Sequence, residues 1–128
     1  MTTWSNHELE RIGNAQELQL ASASADGSLR HYTTMWVVRV GDEIYVRSAG
    51  GPKRAWYRHA KTSGAGRIRA GSVERYVTFG EATADAHTAI DTAYHNKYDQ
   101  YGPNIVGHVV GPAATAVTIR LIPAPDKK

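Results

Sequence analysis

The stretch VRSAGGPKRAWYRHA, from Val46 to Ala60, sets Arg47 ahead of a Gly50-Gly51 pair, with Pro52, Lys53, Arg54 and Arg58 following. A glycine-rich turn that runs into a helix aims several backbone amides at one point, where the helix dipole favours negative charge. Arg47, Lys53 and Arg54 can converge on an anion held there, and a lysine in a first helical turn opposes the dipole unless a negative group compensates it. The same residues also read as an ordinary turn followed by a solvated basic helix face. The stretch alone leaves both readings open. Trp56 and Tyr57, one turn further on, either wall a pocket for a planar ring or pack into the core.

A second group is HYTTMW, His31 to Trp36. In an extended strand, Thr33 and Thr34 offer hydroxyl and backbone groups to the polar edge of a heterocycle, while Met35 and Trp36 add apolar surface. Plain β-propensity explains the threonines equally well. The histidines at 7, 31, 59, 87, 95 and 108 include no pair at metal-ligand spacing, so no metal site is expected. Tyr94, Tyr98 and Tyr101 either form a buried stripe or carry hydroxyls at a pocket mouth. GAGRIRAG lacks the third glycine of a dinucleotide loop, because position 69 is arginine.

These groups need elements to position them. SNHE at Ser5 to Glu8 has the form of a capping box and predicts a short helix over about 5–13. ELQLASA, followed by Asp26-Gly27, predicts a hairpin strand, and RHYTTMWVVRV over 30–40 predicts one continuous strand. Gly41-Asp42 turns that strand into EIYVRS, where Ile44, Val46 and Ser48 alternate with Tyr45 and Arg47. A helix is expected over about 52–61, with Pro52 at its first position. AGRIRAG and VERYVTFGEA form a second hairpin about Gly71-Ser72, with Val73, Val77 and Phe79 inward. A longer helix spans about 84–99, YGPNIVGHVVGP reads as a connection, and TAVTIRLI closes the sheet. Hairpin-linked strands with few helices predict a mainly β fold with flanking helices, a small antiparallel barrel in one domain over 1–128.

The chain has 128 residues, enough for one buried core. A formal net charge of +3 suits an anionic small molecule better than a long polyanion, so nucleic acid is not an expected partner. The absence of cysteine excludes disulfides, thiolate metal sites and a cysteine nucleophile. Any redox chemistry must then come from a cofactor. No apolar run is long enough to span a bilayer, which gives no membrane partner and a cytoplasmic location as the expectations.

Three segments, TTMWVVRVGDEIYVRSAGGPKRAWYRHA, GAGRIRAGSVERYVTF and KYDQYGPNIVGHVVGPAATAVTIRL, resemble a bacterial family labelled domain of unknown function 2255, from about Trp4 to Leu121. More distantly, Arg47 to Tyr57 resembles the phosphate-gripping turn and helix of the split-barrel flavin-binding superfamily. That superfamily includes pyridoxamine-phosphate-oxidase-like proteins and deazaflavin-dependent nitroreductases. The resemblance implies a six-stranded split barrel, a homodimer, and FMN or a deazaflavin bound near the dimer interface. It places Thr33, Thr34 and Trp36 along the ring and Arg47, Ser48, Gly50, Gly51 and Lys53 at the phosphate, with Trp56 and Tyr57 beside them. His31 departs from the pattern, where a smaller or proline-like residue is expected. The reading that follows is a flavin-type oxidoreductase acting on a small organic substrate, with His31, Tyr57 and Tyr98 as candidates for substrate contact or proton donation. Two alternatives keep the same pocket: a non-redox enzyme using acid-base or cyclisation chemistry, and a non-catalytic binding protein.

Overall fold

A computed structural model describes residues 3–125. The capping box forms as the sequence implies. Glu8 N donates to Ser5 Oγ at 3.1 Å and Ser5 N donates to Glu8 Oε1 at 2.9 Å, which starts α1 (Asn6–Asn14) with Ser5 as its cap. Leu9 and Ile12 are its buried residues, and Arg11 Nε reaches the Gly71 carbonyl at 2.9 Å.

Seven strands, not the six expected, build one antiparallel sheet: β1 (Leu18–Ser22), β2 (Thr33–Met35), β3 (Val38–Val40), β4 (Glu43–Arg47), β5 (Ala65–Ala70), β6 (Val73–Gly80) and β7 (Thr118–Pro123). Their order is β2-β1-β5-β6-β7-β4-β3. The extra strand arises because the run over 30–40 is broken at Trp36 and Val37. Only those two residues join the strands at opposite ends of the order, and such a link reaches about 11 Å at most. The sheet therefore curls into a half-barrel whose edges meet there. Val37 leaves the ladder without leaving its polar groups unpaired. Its N–H donates to the Tyr98 hydroxyl at 3.1 Å, and its carbonyl accepts from Lys97 Nζ at 2.7 Å.

The hairpins follow the turn signals. Between β5 and β6, Gly71 and Ser72 both take left-handed conformations, φ 54° and 71°, as a two-residue hairpin turn requires. A side chain at Gly71 would also meet the Arg11 carbonyl, since an added Cβ would lie 2.2 Å from it.

One core fills the concave side of the sheet. Leu20 opposite Ile68, Val46 opposite Ile119 and Ile44 opposite Leu121 meet Leu9 and Ile12 of α1. Tyr57 and Ala60 of α2 (Ala55–Ser63) close the same core. A second cluster covers the other face of β3 and β4, where Val38 and Tyr45 pack against Ile90, Tyr94 and Tyr98. Those last three residues belong to α3 (His87–Tyr98), which follows a 3₁₀ turn at Ala84–Ala86 and precedes another at Asp99–Tyr101. The long helix expected over 84–99 is thus regular only over twelve residues.

The remaining connection is more ordered than expected. Gly102 and Gly111, at φ 98° and 90°, each turn the chain into a short helix with proline at its start, α4 (Pro103–Val106) and α5 (Pro112–Thr115). Among the described residues no helix is long and apolar enough to cross a membrane.

Candidate functional site

A cavity of about 440 Å³ opens where the edge strand β2, the end of β4, the start of α2 and the α4 segment meet. Its volume falls in the range of about 300–1,000 Å³ usual for small-molecule sites. Thr33, Thr34, Trp36, Arg47, Gly50 and Trp56 line it together, although they are spread over two separate sequence motifs. Glu17, Met35, Ala49, Arg54, Ile105, His108 and Val109 complete the wall. Because β2 is the end strand of the sheet, one side of its backbone has no strand partner, so one of the two adjacent threonines turns its amide and carbonyl groups outward while the other faces β1.

The glycine-rich turn differs from the sequence reading in detail. Gly51 is left-handed at φ 86°, Pro52 and Lys53 continue the turn, and α2 begins at Ala55 instead of Pro52. Lys53 is therefore exposed outside the helix and does not line the cavity. Ser48 is buried and braces the loop from within, its Oγ donating to the Gly51 carbonyl at 2.6 Å and its N–H to Val117 O at 3.2 Å. Arg54, the next residue, does line the cavity. Its side chain lies across Gly50 so closely that a Cβ there would fall 1.8 Å from Arg54 Nε. Arg54 is also the N-cap residue of α2, which has no side-chain cap and no acidic residue in its first turn. The first amides of α2 thus remain available beside a cation, a donor set that fits an anionic group.

Arg47 is engaged on every side. Its side chain is fully buried, and Nε donates to Thr118 Oγ1 at 2.8 Å. Nη1 bonds the Asp91 carboxylate and donates to Val109 O at 2.8 Å, while Nη2 donates to His87 Nδ1 at 3.3 Å. Four of the five guanidinium hydrogens are thereby used. The Tyr94 ring lies 5.7 Å from the guanidinium carbon, and burial raises the Tyr94 phenol well above its usual range against the pull of Arg47. Asp91 also faces the Gly111 N–H at 3.4 Å, so the pair ties α3 and the segment that follows Gly102 to β4.

The three candidates for proton donation or substrate contact lie elsewhere. His31 is exposed and does not line the cavity. Tyr57 belongs to the core, and its hydroxyl donates to Ala116 O at 3.3 Å. Tyr98 stacks on Trp36, ring centroids 4.0 Å apart and planes 6° from parallel, and its hydroxyl sits 2.8 Å from Gln16 O besides its contacts with Val37. Burial pushes its phenol up to about 12, with Tyr101 and Glu17 contributing and the Val37 amide opposing. Its visible role is to support Trp36 and the meeting of the sheet edges.

The sequence reading missed Asp91, Glu17 and His108. The four-residue step from His87 to Asp91 was a usable signal, because both then face one partner. His108 stands in the segment taken for a plain connection. Among the described residues no cluster of three or more histidine, aspartate or glutamate side chains could hold a metal ion.

Comparison with known proteins bears on the family and the fold. The model of a bacterial family described as "Uncharacterized protein conserved in bacteria (DUF2255)" matches residues 8–121. No curated protein sequence matches. Among solved structures, an "F420 reductase" is 19% identical with a TM-score of 0.58, covering 92% of this chain and 92% of its own. An FAD-binding protein from Mesorhizobium loti is 16% identical with a TM-score of 0.57, covering 96% and 92%. A domain-swapped dimer is 12% identical with a TM-score of 0.60, covering 91% and 92%. At these identities the likeness is one of fold.

Proposed function

The chain belongs to the DUF2255 family, and on that premise we propose that it binds a flavin-type cofactor, FMN or a deazaflavin, and acts as an oxidoreductase on a small organic substrate. The observation that carries the reading is the convergence of Thr33, Thr34, Trp36, Gly50 and Trp56 on one cavity that also has cationic Arg54 at its wall. Arg54, the Ala49 and Gly50 backbone and the first amides of α2 hold the phosphate. The free side of β2 addresses the polar edge of the ring, and Trp36 and Trp56 wall it. When bound, such a cofactor supplies the hydride or electron chemistry, which a chain without cysteine does not itself offer.

Arg47 serves this site as a positioning residue. By holding Val109 O and Asp91 it fixes the segment that carries Ile105, His108 and Val109 against the cavity. His31, Tyr57 and Tyr98 are not assigned proton transfer in this reading, because His31 lies outside the cavity and the two hydroxyls are occupied by carbonyls. A homodimer in the cytoplasm is the assembly and place proposed with it, since the fold occurs in a domain-swapped dimer.

The test is an absorbance spectrum and mass spectrometry of the protein as purified, followed by titration with FMN and a deazaflavin. Cofactor absorbance, or micromolar binding of either compound, is expected, and Arg54→Ala should weaken it about tenfold or more, as loss of one charge-assisted contact does. A colourless protein that binds neither compound defeats the proposal, and a porphyrin spectrum reassigns the cavity. Sedimentation as a monomer would overturn the dimer.

A further inference from the structure

A second surface cavity, of about 300 Å³, is formed by α1, β3 and α3. Leu9, Gly13 and Val38 give it an apolar lining, Asn14 and Asn96 contribute amides, and Lys97 reaches into it from α3. Among the described residues the amine's hydrogen-bonding partner is the Val37 carbonyl at 2.7 Å, and its Nζ lies 5.2 Å from the Tyr98 ring centroid. Among the described residues it makes no ion pair. The charged groups that share its cavity are Glu10 on α1 and Arg39 on β3, and the Arg39 side chain is itself turned to the Gly41 carbonyl at 2.7 Å. A lysine ammonium partly withdrawn from water without a paired carboxylate is a costly charge, and that position shifts the amine toward its neutral, nucleophilic form.

We propose that Lys97 is an acyl-acceptor site, modified in preference to the exposed lysines by activated acyl donors of the acyl-phosphate class. The neutral Lys97 nitrogen attacks the acyl carbon, the carbon–oxygen bond to phosphate breaks, inorganic phosphate leaves with the bonding pair, and the surplus amine proton passes to water. No oxidant or reductant is required. The product amide retains an N–H for the Val37 carbonyl but carries no charge, so the edge meeting loses a charge-assisted hydrogen bond next to Trp36.

Burial holds the Lys97 amine down at about 8. At pH 7.5 about a quarter of it is then neutral, against roughly a thousandth for an unperturbed lysine near 10.4. Lower basicity also lowers intrinsic nucleophilicity, and on the scale of the Brønsted slope of about 0.4–0.5 that thiolates show, roughly an order of magnitude of that gain is lost. A net advantage of about tenfold remains.

The experiment treats the purified full chain with acetyl phosphate and follows acetylation of each lysine by peptide mass spectrometry between pH 7 and 10. Lys53 and Lys61, both exposed, serve as internal references. Lys97 should react about tenfold faster than either at pH 7.5, with its rate levelling off above pH 8 to 9 while theirs continue to rise. Equal or slower reaction at Lys97, or a rate still climbing at pH 10, overturns the proposal. The measurement needs no bound cofactor, so its outcome is independent of the cofactor titration.

Discussion

Replacing Asp91 with alanine should destabilise the protein by about 2–3 kcal/mol. The Arg47 side chain is wholly buried while the Asp91 side chain is 32% exposed. Removing one partner of a fully buried ion pair costs about 3–5 kcal/mol, mostly because the other charge is left buried without compensation. Here water reaches the carboxylate, which weakens the pair. The guanidinium also keeps Thr118 Oγ1, Val109 O and His87 Nδ1 as acceptors, so the loss falls below that range. For a chain of 128 residues each kcal/mol moves the melting temperature by about 4 °C, and Asp91→Ala should lower it by about 8–12 °C. Urea denaturation of the wild type, Asp91→Ala, Arg47→Met and the double variant measures the coupling directly. The double variant should be less destabilised than the sum of the single ones, because it removes the stranded charge along with its partner. A loss under about 0.5 kcal/mol for Asp91→Ala, or strict additivity in the cycle, would refute the claim that this pair fastens the segment after Gly102 to β4.

Two further outcomes test the meeting of the sheet edges. Tyr98→Phe should cost about 2 kcal/mol in urea denaturation, since it strands the buried Val37 N–H, and should speed hydrogen exchange at Val37; unchanged exchange there would show that another group satisfies that amide. Stability should rise between about pH 8 and 10 and fall above it. Lys97 sits at about 8, below its usual 10.5, so the unfolded chain binds more protons across that interval and loses them as pH rises. Tyr98 is raised from 10 to about 12, so the folded chain keeps its proton longer and stability drains away as pH climbs through that range. In Lys97→Met the rise below pH 10 should be absent, as urea midpoints at successive pH values will show.

Local chemistry made much of the frame legible. Ser5 and Glu8 cap α1 as their spacing requires, and Gly71-Ser72 forms the hairpin turn that its residues demand. Proline at a helix start was the right rule applied to the wrong residue. Pro103 and Pro112 open helices, whereas Pro52, although it too follows a glycine at positive φ, remains in a turn. The break at Trp36–Val37 left no mark in the sequence, because β-branched and aromatic residues suit a strand whether or not its ladder continues. What ends that strand is a pair of side chains sixty residues away in α3, and their demand on Val37 is a property of the closed half-barrel alone.

The candidate site divides along the same line. Thr33, Thr34, Trp36, Gly50 and Trp56 could be grouped from the sequence because their types suit a ring and an anion, and they do line one cavity. Arg47 could not be placed by its type. On β4, Tyr45 and Arg47 fall on the face opposite Ile44 and Val46, and strand alternation makes that face the wet one. Instead α3 and the segment after Gly102 cover it, and a covered arginine must find a counter-charge. Asp91 supplies that charge, so the cation that looked best placed for a ligand is held by the protein itself. Arg54 remains, and Gly50 gives its side chain room. The glycine pair therefore divides its work: Gly51 supplies the left-handed turn, and Gly50 supplies the space through which a cation reaches the cavity wall.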